Sequence, residues 1–288
     1  MASFQPTMLG TRYMCSSGHY LASRAGFEIL EAGGNAIDAG VAAGMALAVV
    51  QSDIVNVGGV APMIIYLAEE DRVVTVSGLG VWPKKTELAM FIGANGGAIP
   101  HGVLRSIVPA APGAWIAALT KYGTMTFADV ARAAIRYAGE GFAMHPTLAE
   151  SIHNTQDQLR RWPGNAEIYL PNDAVPEIGE NFVQADLART LQYMAAQEAA
   201  ASGGRKDGLE AARKAFYEGD IAQAIASYHH DHDGLMTTED LRDFRVGFEV
   251  PVTPLKGQIV HLEPQGPVPA SSIFHETGYV LPKPSGEV

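Results

Sequence analysis

One cysteine, few basic residues and no apolar run long enough for a membrane are the first things this sequence withholds. Cys15 stands alone, so it has no internal disulfide partner and no second thiol with which to build a metal site. Its neighbours Ser16-Ser17-Gly18-His19 offer only one nearby base, and the reading taken is a structural thiol, not a nucleophile. Lys and Arg total 20 against 31 Asp and Glu, a formal net charge of −11, and the cations do not cluster. A phosphate backbone would be repelled, so no nucleic acid is expected as a partner. The longest apolar stretch, Ala39 to Val50, is about 12 residues of mostly small side chains, short of the roughly 20 that a spanning helix needs. It reads as a buried helix, and no membrane partner is expected. The segment Met1 to Thr7 lacks a positive region followed by an apolar run, so no signal peptide is read there and a cytoplasmic location is the expectation. No phosphate loop, dinucleotide glycine fingerprint or Gly-x-Ser-x-Gly elbow is found.

What is present is a globular composition: 288 residues, 47% hydrophobic, enough for a substantial core. Ser23 to Ala32 has helical spacing and stops at Gly33-Gly34, where a left-handed residue can end it. Asn35 is placed to cap a second helix through Val50. Met63 to Leu67 and Arg72 to Val76 are β-type runs around the polar turn Glu69-Glu70-Asp71, a hairpin. Thr126 to Glu140 begins with a cap and puts Val130, Ala134 and Tyr137 on one face. Leu187 to Ala201 and Leu209 to Tyr228 read as two further helices around Ser202-Gly203-Gly204. Val250 to Val260 reads as one or two strands. From Glu263 to Val288 five prolines remove backbone donors, and an irregular tail is expected. The cluster His229-His230-Asp231-His232-Asp233 is the only metal-like one, but adjacent side chains diverge. It is read as a solvated helix end, with no metal and no organic cofactor expected.

Several segments taken in order carry more than any one of them. Glu31-Ala32-Gly33-Gly34-Asn35-Ala36-Ile37-Asp38-Ala39 closely resembles the Glu-Gly-Gly-Asn-Ala-x-Asp-Ala signature of γ-glutamyltransferases (γ-glutamyltranspeptidases). Asn56-Val57-Gly58-Gly59 falls where that family has its glycine run. Val108 to Gly113, Lys121 to Met125, Phe216 to Ala222 and Gly234 to Leu241 follow in the same order, and the resemblance covers about residues 9 to 269. It implies the large subunit of an N-terminal-nucleophile (Ntn) hydrolase, made as one precursor that cuts itself before a Thr. The implied fold is α+β, a four-layer αββα sandwich whose sheets a second chain completes, so that residues 1–288 are one part of a shared domain. The implied partner is the small subunit from the same precursor, with a dimer of heterodimers left open. On this reading no catalytic residue lies in this chain, the nucleophilic Thr is on the partner, and Val288 is the self-cleavage end of the 263–288 tail. A free α-amino group with a pKa of about 8 can serve as base for its own hydroxyl, which is why one residue suffices as nucleophile and base.

The chain also departs from the family. γ-Glutamyl enzymes hold the substrate α-carboxylate with the Arg of an Arg-Glu-x-Ala-Pro segment, and aligning on Pro83 puts Leu79 at that Arg. Leu cannot make the forked pair of charge-assisted hydrogen bonds that fixes a carboxylate. The pocket candidates are therefore Leu79, Arg105 as a replacement cation, Trp82 as an apolar lid or a core residue, and Asn56, Gly58 and Gly59 at a close-approach turn. This divergence makes a small acidic amide such as oxamate the expected substrate, hydrolysed or transferred through an acyl-enzyme. The alternatives are a γ-glutamyl hydrolase or transpeptidase acting on glutathione-type substrates, a non-enzymatic scaffold descendant, and a metal-dependent hydrolase built on His229, Asp231 and His232.

Overall fold

The computed structural model describes residues 8–94 and 97–249 and, as backbone, 273–275 and 278–280. In chain order the elements are α1 (Tyr20–Glu31), α2 (Ala36–Val50), β1 (Met63–Leu67), β2 (Arg72–Val76), α3 (Leu88–Ala94), α4 (Ala111–Tyr122), α5 (Phe127–Gly139), β3 (Phe142–Ala143), α6 (Pro146–Leu159), α7 (Pro163–Tyr169), β4 (Asn181–Phe182), α8 (Ala185–Ala200), α9 (Arg205–Tyr217), α10 (Asp220–Asp231), α11 (Thr238–Asp243), β5 (Ile273–His275) and β6 (Gly278–Val280). The chain divides into two compact units, 1–250 and 251–288. The class is mixed α and β, as expected, with helices dominating the described residues.

The core of the first unit is built on α2. Its buried residues run almost all round the helix, Val41, Met45, Ala46, Val49 and Val50 among them, because α1, α4 and α5 all pack on it. Small residues let these helices approach closely. Gly26 of α1, for instance, sits so near α2 that an added Cβ would meet the Ala39 carbonyl at 2.9 Å. Burying the Met45 side chain completely is worth about 1.5–3 kcal/mol. From α5 the packing continues to α8 and from α8 to α9, which closes back on α4.

The ends of these helices match their sequences closely. Gly33 takes a φ of 91° and lets α1 stop, with Gly34 N–H returning to the Ile29 carbonyl at 3.0 Å. Asn35 caps α2 and Asp38 returns the bond to the Asn35 N–H, a reciprocal capping box. Thr126 and Asp129 do the same for α5, and Gly141 follows it at a φ of 87°. The first-turn N–H groups of Phe127 and Ala128, which have no partner within α5, donate to Glu198 of α8 at 2.7 and 2.8 Å, placing a carboxylate on the positive end of α5.

Three expectations change. The single helix foreseen over Leu209 to Tyr228 is two, α9 and α10. The chain breaks at Glu218-Gly219, where both N–H groups turn back to the Lys214 carbonyl at 2.8 Å and Gly219 starts the next helix. The tail from Glu263 is not wholly irregular, since β5 and β6 pair antiparallel with Ile273 opposite Val280. The five prolines lie at 264, 267, 269, 282 and 284, so the stretch between Pro269 and Pro282 keeps all its donors. Third, His229 is buried and not solvated. Its Nδ1 accepts from Met236 N–H at 3.4 Å, whereas His230, Asp231 and His232 are exposed as expected. The strands foreseen over Val250 to Val260 lie outside the described residues.

Candidate functional site

The hairpin occurs as read, with Met63 opposite Val76 and Ile65 opposite Val74. Residues 247–249 extend it on the outer edge of β2, where Phe248 bridges to Val76, Ser77 N–H donates to Gly247 and Glu249 N–H donates to Thr75. Strand alternation sends Val74 and Val76 inward and leaves Ile64, Tyr66 and Val73 outward, 79%, 59% and 60% exposed. Among the described residues nothing covers these three large apolar side chains, which share one sheet face.

The segment leaving β2 is held at three points. Ala61 N–H donates to the Gly78 carbonyl at 2.9 Å, Val108 N–H donates to Val81 at 2.9 Å, and Lys84 N–H donates to the Asp240 carboxylate at 2.8 Å. Gly78 has a φ of 52° and a Cβ there would collide with the Ala61 carbonyl at 2.0 Å, while one on Gly80 would meet the Val108 carbonyl at 2.3 Å. Both glycines therefore press the ribbon flat against its neighbours. The residues between and after them, Leu79, Val81 and Trp82, face outward and are exposed. Trp82 is thus no core residue. It is half open, with its ring 5.8 Å from that of Phe91.

Behind this ribbon sits the glycine turn. Gly59 N–H donates to the Asn56 carbonyl at 3.0 Å, closing a four-residue turn, and the Gly59 carbonyl accepts from Ala110 and Ala111 at the start of α4. Neither Gly58 nor Gly59 has a positive φ, and a Cβ on Gly58 would meet only the Asn56 side chain at 3.4 Å. The Asn56 and Gly58 positions are exposed. Tyr217 fixes the same region from below. Its hydroxyl donates to the Pro109 carbonyl at 2.7 Å and accepts from Gly113 N–H at 2.9 Å, and burial pushes its pKa well above that of an ordinary tyrosine.

The backbone bonds from Ala61 to Gly78, Val108 to Val81 and Ala110 to Gly59 tie together the segments that carry Asn56, Gly58, Gly59, Leu79 and Trp82, and these form the candidate wall. Arg105 does not join them by any hydrogen bond or ion pair among the described residues. It ends a 3-10 turn, Val103–Arg105, and donates to the Ile99 carbonyl at 3.2 Å. Sequence reading passed over the groups that hold the wall in place. Asp240 is one: burial works to raise its pKa, but the N–H of Lys84 and the hydroxyl of Thr237 hold it below the usual carboxylate value. Tyr217 is another. Both lie inside segments quoted for the family resemblance, which was the available signal. Two other quoted segments are a buried staple with no place on the wall. Asp38, fully buried, accepts from Thr124 N–H, Thr124 Oγ1 and Met125 N–H, and Asn35 Nδ2 donates to Tyr122 at 2.7 Å.

The family model described as Gamma-glutamyltranspeptidase matches residues 22–272. The chain belongs to this family. A relative from Bacillus subtilis described as a glutathione hydrolase-like YwrD proenzyme is 35% identical over 86% of this chain and 44% of its own length. The Acylase ACY 1 proenzyme of Pseudomonas sp. strain SE83 is 33% identical over 91% of this chain and 46% of its own. The chain thus spans a little under half the length of these curated relatives. The crystal structure of Helicobacter pylori gamma-glutamyltranspeptidase superposes with a TM-score of 0.77 at 30% identity, covering 86% of this chain and 68% of that one. A cephalosporin acylase from Bacillus halodurans gives 0.71 at 28% identity over 87% and 46%.

Proposed function

We propose that this chain is the large-subunit part of a self-cleaving amide hydrolase, and that its acyl group is a small acidic one other than γ-glutamyl, with oxamate as the model amide. The reaction runs through an acyl-enzyme on an N-terminal Thr in the small-subunit part. Its α-amino group takes the hydroxyl proton, the hydroxyl oxygen attacks the amide carbonyl, the amine leaves with a proton, and water or an acceptor amine releases the acyl group. The chain described here contributes one wall, Leu79, Trp82 and the Asn56–Gly59 turn, and the residues that hold it.

The observation that carries the substrate half is Leu79. The ribbon is pinned on both sides of it by Gly78 and Gly80, so the residue at this place is displayed outward. A guanidinium there would be presented to the α-carboxylate of a γ-glutamyl group, and an isobutyl group offers that carboxylate nothing, so the carboxylate of a small acid such as oxamate must find its cation elsewhere in the site. The structural relative described as a cephalosporin acylase supports an acyl group other than γ-glutamyl. For the second chain, support comes from the bare face of Ile64, Tyr66 and Val73, which a further layer would bury to complete a four-layer αββα sandwich. Nothing in this scheme requires a metal or cofactor.

The γ-glutamyl reading stands beside it, favoured by the relatives described as glutathione hydrolase proenzymes at 29–31% identity and by the glutathione hydrolase-like protein at 35%. Ammonia release from oxamate, measured beside p-nitroaniline release from γ-glutamyl p-nitroanilide on protein made from the full-length gene, separates the two. Efficient turnover of the γ-glutamyl compound with none of oxamate refutes the proposal.

A further inference from the structure

A cavity of about 370 Å³ lies between α4, α9 and residues 244–248, within the size range of small-molecule sites. Its wall combines two kinds of surface. Tyr217, Phe244 and Phe248 supply aromatic faces, with Tyr217 stacked on Phe244 at 5.6 Å between centroids. Lys121, Arg213 and Arg245 supply cations.

The three cations are not equally committed. Arg213 binds Glu210 through Nε and Nη2 and Glu218 through Nη2, at 2.8, 2.9 and 2.5 Å. Its Nη1 is buried and has no hydrogen-bond partner among the described residues. Buried donors left unmatched are rare in folded proteins, and those of a guanidinium are costly. Lys121 has its ammonium 4.2 Å from the centre of the Phe248 ring and no carboxylate within ion-pair distance among the described residues. Arg245 spends Nη1 on the carbonyls of Arg242 and Phe244 at 2.6 and 2.7 Å, which fixes its guanidinium but leaves its charge without an ion pair there. Lys121, Arg213 and Arg245 together face two carboxylates, Glu210 and Glu218, and Glu210 acts on Arg245 as well as on Arg213, so the cluster keeps an excess of one positive charge.

We propose that this cavity binds a small organic acid, its carboxylate seated between Lys121 and Arg245 and its apolar body resting on Phe244 and Phe248. A carboxylate has lone pairs enough for both of these cations at once. The aromatic floor explains why the site favours an acid with a hydrocarbon body over a bare inorganic anion. Because Tyr217 and Gly113 line the cavity and also hold the Pro109 to Gly113 loop, an occupant would stiffen the start of α4 on which Gly59 rests.

The probe is 4-phenylbutyrate, titrated calorimetrically into protein made from the full-length gene, with the neutral 4-phenylbutyramide beside it. The expected result is one site per chain, with the amide weaker by about tenfold or more. Lys121→Gln combined with Arg245→Gln should bring acid and amide to within about twofold of each other, since only the charge preference is removed. Ala117→Trp, which fills the cavity from α4, should abolish binding of both, and a melting temperature near wild type shows that the variant is folded. The proposal is overturned if neither compound binds, as when another segment of the polypeptide fills the cavity. It is overturned equally if acid and amide bind alike, or if the double variant and Ala117→Trp bind like wild type.

Discussion

Replacing Asp38 by Asn tests whether the most family-like segment of the chain is structural. The carboxylate is completely buried and accepts from four donors: Asn35 N–H at 2.9 Å, Thr124 N–H at 3.0 and 3.1 Å, Thr124 Oγ1 at 2.6 Å and Met125 N–H at 3.2 Å. An amide keeps the shape but turns one acceptor oxygen into a donor. With the nitrogen at Oδ1 it faces the N–H groups of Thr124 and Met125. With the nitrogen at Oδ2 it faces the N–H groups of Asn35 and Thr124, and only the Thr124 hydroxyl can rotate to accept. Either way at least one buried N–H opposes another, and each such loss costs about 1–3 kcal/mol. Loss of the charge-assisted character of the remaining bonds adds to this, so Asp38→Asn should destabilise by about 2–4 kcal/mol. Melting should fall on the order of 5–10 °C. Thr124→Val, which removes only the hydroxyl donor, should cost about 1 kcal/mol. The assay is urea or thermal unfolding followed by circular dichroism. An Asp38→Asn protein within about 0.5 kcal/mol of wild type would mean that the staple does not hold α2 to the end of α4.

Tyr217→Phe strands the Pro109 carbonyl and the Gly113 N–H in a buried place. It should cost about 2–4 kcal/mol by urea unfolding and lower kcat/KM on the best substrate about tenfold; unchanged kcat/KM would show that this clamp does not position the wall. Leu79→Arg puts a forked cation at the outward place on the ribbon and should raise kcat/KM on γ-glutamyl p-nitroanilide at least about tenfold; no gain would remove Leu79 from the specificity argument. Burial, reinforced by the ring of His145 at 4.9 Å, lowers the pKa of His19 below the ordinary histidine value of 6.5. The unfolded chain therefore takes up this proton first, and stability should be full above pH 6.5 and fall as pH drops through and below it, levelling off beneath the folded pKa. His19→Asn keeps an acceptor for Leu21 N–H and should flatten that fall in pH-dependent melting; a slope identical to wild type would contradict the assignment.

Local chemistry made the first half of the fold readable. Gly33, Asn35, Asp38, Thr126 and Gly141 each have a backbone role that their residue type announces, and the β1–β2 hairpin follows from two alternating runs around an acidic turn. Less legible were α4 and the break between α9 and α10. From Ala111 to Leu119 α4 is wholly apolar and buried nearly all round, so that stretch shows no polar face from which to read a period, and the α9–α10 break depends on one Glu-Gly pair inside an otherwise helical pattern. The wall of the candidate site was half legible. The turn at Asn56 to Gly59 and the outward place of Leu79 lie in segments that a reader of sequence can single out. The tertiary bonds that hold them, from Asp240 to Lys84 and from Tyr217 to Pro109, span 156 and 108 residues, and nothing local reveals such a pairing. Arg105 reads from the sequence as a replacement cation on the adjacent wall, and in the structure its Nη2 donates to the Ile99 carbonyl.

The central claim is that this wall serves a nucleophile made by cutting the polypeptide. Intact mass of the protein expressed from the full-length gene, with sequencing of the new N-terminus, tests it most directly. Two fragments, the second beginning with Thr, are the predicted result. A single uncut chain, or a second fragment beginning with a residue that has no hydroxyl or thiol, would contradict it.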